Sequence, residues 1–287
     1  MEKNLIISLD GGGIFGAVAL KFLDRLWSDI PWDRVCLVSG TSIGGVIAMG
    51  IGRGMNTNLV LNRFQSDAER IFTRGYGRAI LSTVGLVAEY TQDGASEVFS
   101  ELFEGDTIAS LQIPVFVPVF DAVNWRGEYI TQSSQPVGLS TCHDAAMAGI
   151  AAPTVFPAYE GKWMDGGIVL NNPSIAAACY ASDTLGTNID TVKVLSLGCG
   201  FGVKTGLPKS DLGLLYWVQR VNDLFLGGGV RTTEAVADSL FGKNHLRINP
   251  VLPPELCGSL SATELIPGLF DWADTFDLSS VRQWLSV

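Results

Sequence analysis

Short apolar runs alternate with segments of helical periodicity along the first part of the chain. Leu5–Leu9 and Val35–Val38 are mostly apolar, and each run stops at a polar residue followed by glycine. Each is followed by apolar residues at helical spacing, first over Val18–Leu26 and then over Ile43–Ile51. Buried strands that alternate with helices are typical of a parallel sheet covered on both faces. The pattern therefore predicts an α/β fold in three α/β/α layers, with a mainly parallel central sheet.

The remainder of the chain continues this alternation, beginning with a mostly helical region from Thr57 to about Phe103. Further elements are predicted as a hairpin of Val115–Val123 with Glu128–Thr131, a helix over Cys142–Ile150, a strand over Val192–Leu197 and a helix over Leu212–Leu226. No internal repeat or linker divides the sequence. We therefore expect a single domain over residues 1–287, with a motif-bearing core over about residues 5–202 and a helical C-terminal portion over about residues 203–287.

Composition narrows the classes of function. With 47% hydrophobic and 17% charged residues, the chain is too apolar for intrinsic disorder. Its formal net charge of -10 argues against a dedicated nucleic-acid binder, because phosphate neutralisation needs a basic face. The longest uncharged stretch, Val35–Gly52, is interrupted by five glycines and is a poor membrane span.

The cysteines and histidines bear on the redox compartment and on metals. The five cysteines are odd in number and lack paired spacing, which predicts a reduced, cytoplasmic protein without structural disulfides. The chain has two histidines and no Cys-x-x-Cys pair, so a zinc site is not expected. The sequence predicts neither a metal nor an organic cofactor.

A G-x-S-x-G pattern stands between the second predicted strand and the helix after it. Gly40 and Gly44 flank Ser42 at a distance of two residues. A nucleophile elbow needs such small neighbours, because its serine occupies a strained turn that exposes the hydroxyl. The helix that follows then directs its N-terminus at the reacting centre, where it favours a developing oxyanion. A structural glycine–serine turn is the alternative, and the strand–helix setting favours the elbow.

A glycine cluster, D-G-G-G-I-F-G over residues 10–16, follows the first predicted strand. Its glycines fit the G-x-G-x-x-G fingerprint of dinucleotide-binding folds, but that fingerprint requires an acid at the end of the second strand. Ser39 and Gly40 stand there instead, so the cofactor interpretation fails. The amides of such a loop are equally suited to an oxyanion hole, one strand away from Ser42. A tight turn without any ligand is the remaining interpretation.

A third pattern, Asp165 followed by Gly166 and Gly167, offers a partner for the serine. A serine hydroxyl is a weak nucleophile and needs a base within hydrogen-bond reach. Asp165 is suited to that role, because the two glycines allow the backbone to approach closely. Taken alone, however, D-G-G is a routine turn signal, and the residues by themselves leave both interpretations open.

The three patterns occur together and in this order, and in this the chain resembles the patatin-like phospholipase family. That family carries D-G-G-G-x-[RK]-G, then G-x-S-x-G, then D-G-[GA], and the resemblance covers roughly residues 5–202. It implies the patatin-like α/β/α fold and a lipid acyl hydrolase that cleaves carboxylic esters, above all phospholipid acyl esters, through an acyl-enzyme. It also implies a catalytic dyad in which Ser42 is the nucleophile and Asp165 the general base.

The resemblance extends to the supporting residues. Carried over position by position, it implies an oxyanion hole on Gly11, Gly12 and Gly13. The residues that complete the three motifs are Asp10, Gly16, Gly40, Gly44, Gly166 and Gly167. The implied partner is a membrane phospholipid or another acyl lipid, with no nucleic acid.

One departure from the family pattern keeps two alternatives open. Phe15 occupies the position where the family usually has Arg or Lys, which favours a catalytically weak, patatin-like binding protein. The second alternative is a Ser–His–Asp esterase in which His245 would follow Ser42 and Asp165 in chain order. Intact Ser42 and Asp165 argue for an enzyme, and neither His143 nor His245 stands in a recognisable catalytic loop.

A basic and apolar stretch over Arg70–Val87 bears on membrane contact. Arg70, Arg74 and Arg78 fall at helical i, i+4, i+8 spacing in an otherwise acidic chain. Such a face is suited to peripheral contact with an anionic membrane surface. Glycines within the stretch weaken a helix, so an ordinary packed helix with a solvated arginine face is the competing interpretation.

Overall fold

A seven-stranded sheet forms the centre of the computed structural model, which describes residues 3–75, 81–82, 87–202 and 229–287. The strands are β1 (Leu5–Leu9), β2 (Val35–Gly40), β3 (Val115–Asp121), β4 (Arg126–Thr131), β5 (Trp163–Asp165), β6 (Lys193–Leu197) and β7 (His245–Ile248). Their order in the sheet is β4-β3-β2-β1-β6-β7, and β5 pairs with β3 beside this path. Strands β1, β2, β3, β6 and β7 run parallel, whereas β4 and β5 are antiparallel to β3.

Helices cover both faces of the sheet. The described residues form α1 (Gly16–Leu26), α2 (Ile43–Arg53), α3 (Thr57–Ile71), α4 (Asp93–Phe103), α5 (Cys142–Gly149), α6 (Ser174–Thr184), α7 (Val230–Phe241), α8 (Ile266–Thr275) and α9 (Ser279–Leu285). On one face, α6 and α7 pack small and apolar side chains such as Ala177 and Phe241 against Ile6 of β1. On the other face, Leu5, Ile7 and Leu9 of the same strand join the larger core with the remaining helices.

The predicted fold class is confirmed, because helices lie on both faces of a mainly parallel sheet. The first two strands and the hairpin of β3 with β4 lie where the sequence places them, within a few residues at their ends. The two short strands β5 and β7 are absent from the sequence expectation. Strand β7 lies within the C-terminal portion that the sequence describes as helical, and the predicted helix Leu212–Leu226 lies outside the described residues.

One edge of β3 is divided between two partners, and this arrangement positions the site. The beginning of β3 pairs with the end of β2, through Val115 and Phe116. Farther along the same edge, β3 pairs with β5, where Val119 faces Asp165. Strand β5 runs antiparallel, so its C-terminal residue points back toward the end of β2. The chain leaving β2 toward Ser42 is therefore brought up against Asp165.

Candidate active site

Ser42 lies in a strained turn between β2 and α2. Its φ of 55° and ψ of -128° lie in a region that non-glycine residues rarely adopt. The turn is so tight that a Cβ at position 40 would lie 2.0 Å from the Gly44 carbonyl oxygen. A Cβ at position 44 would lie 2.6 Å from the Asp10 carbonyl oxygen, so both flanking positions require glycine. The local geometry is that of a nucleophile elbow.

Asp165 is the buried carboxylate beside this turn, with 2% of its surface exposed. One of its oxygens, Oδ1, accepts a hydrogen bond from the Gly167 amide at 2.7 Å. Burial raises the pKa of Asp165 from 3.8 to about 6, because the charged form loses its hydration. Hydrogen bonds with the Ser42 side chain and the Gly167 amide act in the opposite direction and lower the pKa. The structure thus brings Ser42 and Asp165 together.

The N–H groups of the glycine loop after β1 differ in whether they have a hydrogen-bond acceptor. The Gly11 N–H donates to the Asn171 carbonyl oxygen at 3.2 Å, so this donor already has a protein partner. Within the described part of the chain, no protein acceptor is recorded for the N–H groups of Gly12 and Gly13. Gly13 has a φ of 56° and, like Ser42, lines the same cavity. The N–H groups of Gly12 and Gly13 are therefore available as donors. They are two of the three glycines that the sequence predicts for an oxyanion hole.

The segment after Asp165 ties the three motifs together. The Leu170 carbonyl oxygen accepts a hydrogen bond from Thr41 Oγ1 at 2.8 Å, next to Ser42. Asn171 Nδ2 donates to the Gly11 carbonyl oxygen at 3.2 Å, and this bond accompanies the one from the Gly11 amide. The elbow and the glycine loop are both held by the residues that follow the D-G-G turn.

Asp10, which precedes the loop, forms a buried ion pair with Arg247 of β7. Arg247 donates through Nη1 to Oδ1 at 3.2 Å and through Nη2 to Oδ2 at 2.6 Å. The two side chains are 3% and 2% exposed. Burial raises the pKa of Asp10, and the neighbouring guanidinium opposes that rise. Although position 15 holds phenylalanine, a cation thus reaches the start of the loop from a different strand.

An apolar cavity of about 60 Å³, here called the apolar slot, opens beside Ser42, Asp165 and Gly13. It is bounded by α3, α4 and the loop after α5. Its walls include Ile14, Phe64, Ile71, Phe72, Phe99 and Phe156. Such a lining favours hydrocarbon over polar groups. The sequence offers many apolar candidates for this lining and no means of choosing among them.

A second, larger cavity of about 660 Å³ lies against the other side of the glycine loop and is here called the polar cleft. Asp10, Gly11 and Gly12 border it, and Val155 and Leu260 line both cavities. Phe15 lines the polar cleft and packs partly against the main core. Its side chain is therefore an apolar contact beside the loop.

The two histidines lie apart from Ser42. His245 is the first residue of β7 and pairs with Val194 of β6. Its Nδ1 lies 2.6 Å from Asp238 Oδ1. It stands three strands across the sheet from β2, about 14 Å away, and at the opposite strand ends. The alternative of a triad through His245 is therefore wrong. His143 lies on α5, where its Nε2 is 3.0 Å from Ser96 Oγ and its Nδ1 is 3.2 Å from Asp144 Oδ1.

The arginine stretch differs from the expected helical face. Helix α3 ends at Ile71, so Arg70 and Arg74 do not share one helix. Arg70 pairs with Glu101 at 2.7 Å, and Arg74 pairs with Glu89. Arg78 lies outside the described residues. The charges of the two described arginines are locally compensated, which favours packing over lipid contact.

The described ranges contain no group of three or more metal-ligating side chains. The helices described there are all too short or too polar to cross a bilayer.

Comparison with known proteins places this geometry in a family. The model of the family described as patatin-like phospholipase matches residues 7–179, more than half of the chain. The chain belongs to that family. The matched range includes both Ser42 and Asp165 as well as the glycine loop.

Two relatives and one solved structure illustrate what this chain is similar to. A cGAMP-activated phospholipase from Pseudomonas aeruginosa is 27% identical over 277 residues, covering 91% of this chain and 82% of that protein. Patatin-like protein 1 from Oryza sativa subsp. indica is 23% identical, covering 85% of this chain and 72% of that protein. VipD from Legionella pneumophila gives a TM-score of 0.49 at 13% identity, covering 95% of this chain and 67% of that one.

Proposed function

We propose that this patatin-like protein is a serine lipid acyl hydrolase that cleaves the carboxylic esters of phospholipids. One observation carries the proposal: Ser42 stands at a strained elbow, and it lines an apolar slot together with the buried Asp165. Family membership supports the same class of reaction.

In the proposed first step, Ser42 Oγ attacks the acyl carbonyl carbon while Asp165 accepts the hydroxyl proton. The tetrahedral intermediate collapses, the alcohol leaves with that proton, and the acyl group remains on Ser42. In the second step Asp165 takes a proton from water, which hydrolyses the acyl-enzyme and releases a fatty acid. A carboxyl with a pKa of about 6 suits both directions of transfer near neutral pH.

We assign the oxyanion to the amides of Gly12 and Gly13, for which the described residues provide no acceptor. The amide of Ile43 is a further candidate, because it opens α2 and therefore lacks an intrahelical acceptor. Amides held in fixed positions stabilise the developing charge without reorganisation. Neither group of donors requires a cation at position 15, so Phe15 is compatible with catalysis.

The apolar slot supports the choice of an acyl chain as the group bound next to Ser42. Phe64, Ile71 and Phe72 present hydrocarbon on one side of it. Burial of each methylene contributes about 0.8 kcal/mol, so chain length is expected to govern affinity.

A serine-reactive fluorophosphonate probe and defined phospholipid vesicles test this proposal. We expect the wild type to be labelled at Ser42 and to release fatty acid and lysophospholipid, and Ser42→Ala to do neither. Ser96→Ala is the matched control, because Ser96 also faces an acid-bearing hydrogen-bond network, and it should retain both activities. Fatty-acid release that survives in Ser42→Ala would contradict the proposal.

The relatives' names bear on regulation. We propose cGAMP as an activator to be tested, because the Pseudomonas aeruginosa protein that matches 91% of this chain is named a cGAMP-activated phospholipase. Fatty-acid release should rise when cGAMP is added and should not respond to the corresponding linear dinucleotide. An identical rate with and without cGAMP would remove this part of the proposal.

A further inference from the structure

We infer that the polar cleft binds the phosphate of a glycerophospholipid while its acyl ester is held at Ser42, and that Arg231 is the recognising cation. The inference rests on the proposed function, since it concerns the alcohol side of the same ester. It adds to that function the residue that recognises the phosphate and so distinguishes phospholipids from neutral acylglycerols.

The two cavities lie on different sides of the glycine loop beside Ser42. An ester carbonyl held at Ser42 has two substituents, the acyl chain and the alcohol. The apolar slot lies on one side of the glycine loop and the polar cleft on the other, with Val155 and Leu260 between them. An acyl chain in the slot therefore directs the glycerol and its headgroup toward the cleft.

The two cavities also differ in size and chemistry. The cleft has about ten times the volume of the slot, about 660 Å³ against about 60 Å³. Hydroxyl and amide groups line part of it, among them Asn249, Ser259 and Ser261, beside apolar side chains such as Phe15 and Leu252. A hydrated, charged headgroup therefore has polar partners in the cleft, whereas the slot is lined mostly by hydrocarbon.

The described carboxylates that line the cleft are paired. Asp10 pairs with Arg247 and Glu89 with Arg74, and Arg247 also lies 3.4 Å from Glu234. In the part of the chain that the structure describes, no carboxylate lies within ion-pair distance of Arg231. Among the described residues that line the cleft, Arg231 thus carries a positive charge without an ion-pair partner, which suits the negative charge of a phosphodiester.

The guanidinium of Arg231 lies against an aromatic ring. The guanidinium carbon of Arg231 lies 5.1 Å from the centre of the Phe201 ring, and this stacking restricts its orientation. The planar guanidinium donates through two N–H groups to phosphate oxygens more effectively than an ammonium group. Ser261 Oγ accepts from the Tyr90 hydroxyl at 2.8 Å, which leaves the Ser261 proton to be donated to Ser259 or to a ligand oxygen.

The experiment compares lipids that differ in the phosphate alone. Hydrolysis is measured on a phosphatidylglycerol and on a diacylglycerol with the same acyl chains, in identical mixed micelles. We expect Arg231→Gln to lower kcat/KM for the phospholipid by about tenfold or more, the loss typical of a hydrogen bond to a charged group. The diacylglycerol should change by less than about twofold, and Arg231→Lys should recover part of the loss. Arg126→Gln is the matched control, because Arg126 is exposed at the distant sheet edge.

A binding measurement keeps this inference separable from the proposed function. Binding of a soluble, short-chain ether analogue of phosphatidylglycerol, which cannot be hydrolysed, is measured by calorimetry. Arg231→Gln should weaken it by a similar factor, and inorganic phosphate should compete only weakly, since it lacks the acyl and glycerol contacts. Competition by inorganic phosphate at the affinity of the ether lipid would overturn the inference, because the site would then bind free phosphate.

Three further results would overturn it. Equal losses on both lipids would make Arg231 a structural residue, and no loss on either would remove it from recognition. Loss of cGAMP activation with unchanged phospholipid binding would assign Arg231 to an activator instead. If the wild type hydrolyses no ester at all, the proposed function fails, and the ether-lipid measurement still decides whether the cleft binds a lipid phosphate.

Discussion

Ser42 and Ser96 each have an aspartate nearby, and the two serines differ in their backbone geometry. Ser96 on α4, His143 and Asp144 have the residue types of a catalytic triad and the right order of contacts. Ser42 has only Asp165. Ser96 nevertheless stands within a regular helix, whereas Ser42 stands at a positive φ between a glycine loop and the N-terminus of α2. If the proposed function is correct, backbone geometry and nearby amide donors identify the nucleophile better than residue types do.

The Ser96 network has a structural explanation. Asp144 accepts hydrogen bonds from Thr141 Oγ1 at 2.5 Å and from the Tyr159 hydroxyl at 2.6 Å. These bonds, together with His143, lower the pKa of Asp144 against the opposing effect of burial, which is the largest single influence. The network ties the N-terminus of α5 to α4 and to the segment before β5.

The largest expected effect separates the two serines by activity. Ser42→Ala and Asp165→Asn should each lower kcat on a short p-nitrophenyl ester by three orders of magnitude or more, roughly as found for residues that act as one catalytic unit. Ser96→Ala and His143→Ala should change kcat by less than about threefold, because Ser96 stands within a regular helix and not at a strained turn. If His143→Ala lost as much activity and the protein still unfolded cooperatively, Ser42 would be the wrong serine and the chemistry would belong to Ser96.

The next effect concerns the buried ion pair of Asp10 with Arg247, which lies beside the glycine loop of the Ser42 site and is absent from the Ser96 network. Arg247→Met removes one partner of the buried pair with Asp10 and should lower the free energy of unfolding by about 3–5 kcal/mol. Arg282→Gln, which breaks a half-exposed pair with Asp29, should cost about 1 kcal/mol or less. Urea unfolding measures both. Equal effects of the two substitutions would show that Asp10 does not depend on Arg247.

A smaller effect tests the protonation of Asp165 through stability. Its pKa is raised from 3.8 to about 6, so the carboxyl favours the folded state below pH 4, and this contribution is lost as the pH rises through 6. The total amounts to about 3 kcal/mol. Asp165→Asn does not titrate, so its stability relative to the wild type should rise by about 1.4 kcal/mol between pH 5 and pH 8. A constant difference over that range would mean that Asp165 has an ordinary pKa.

The same group predicts a pH profile for catalysis. Asp165 must be ionised to accept the proton, so kcat/KM should fall about tenfold per pH unit below an apparent pKa of about 6. His143→Ala should retain this profile with the same midpoint, because the network around Ser96 takes no part. If the midpoint of the pH profile shifted in His143→Ala, the protonation of Asp165 would be coupled to the network around Ser96.

The smallest expected effect is on stability, and its sign differs between substitutions at the two serines. Ser42→Gly relieves the strain of a positive φ and should stabilise the protein by about 1 kcal/mol, although activity is lost. Ser96→Gly introduces glycine into a helix and should destabilise it by about 0.5 kcal/mol or more. Thermal unfolding of both variants measures the difference. Destabilisation in Ser42→Gly would mean that the turn is not strained.

The sequence predicts well those parts of the molecule that depend on local pattern. The strands that surround the glycine loop and Ser42 are buried, and their apolar runs are unambiguous. Strand β5 has three residues and strand β7 carries a buried arginine, so neither has a recognisable apolar pattern. The dyad partners follow from the motifs as a proposal, and the single-domain organisation stays a prediction.

What sequence reasoning misses depends on contacts between distant residues. The Gly11 amide is excluded as a donor by the carbonyl of Asn171, 160 positions away, and no local signal indicates that bond. The helical spacing of Arg70 and Arg74 is real as a pattern, yet α3 ends between them at Ile71. Arg247 carries no motif, and its role depends on the position of β7 beside β6.

The ion pair of Asp10 with Arg247 has a consequence for biosynthesis. Its partners are 237 positions apart, and ribosomes add roughly 5–20 residues per second. Asp10 is therefore added to the chain roughly 10 to 50 seconds before Arg247. Once Asp165 has been added, the nascent chain already carries Ser42 and the glycine loop, but the carboxylate beside the loop has no counter-charge. The start of the loop therefore reaches its final arrangement only after β7 has been made and has paired with β6.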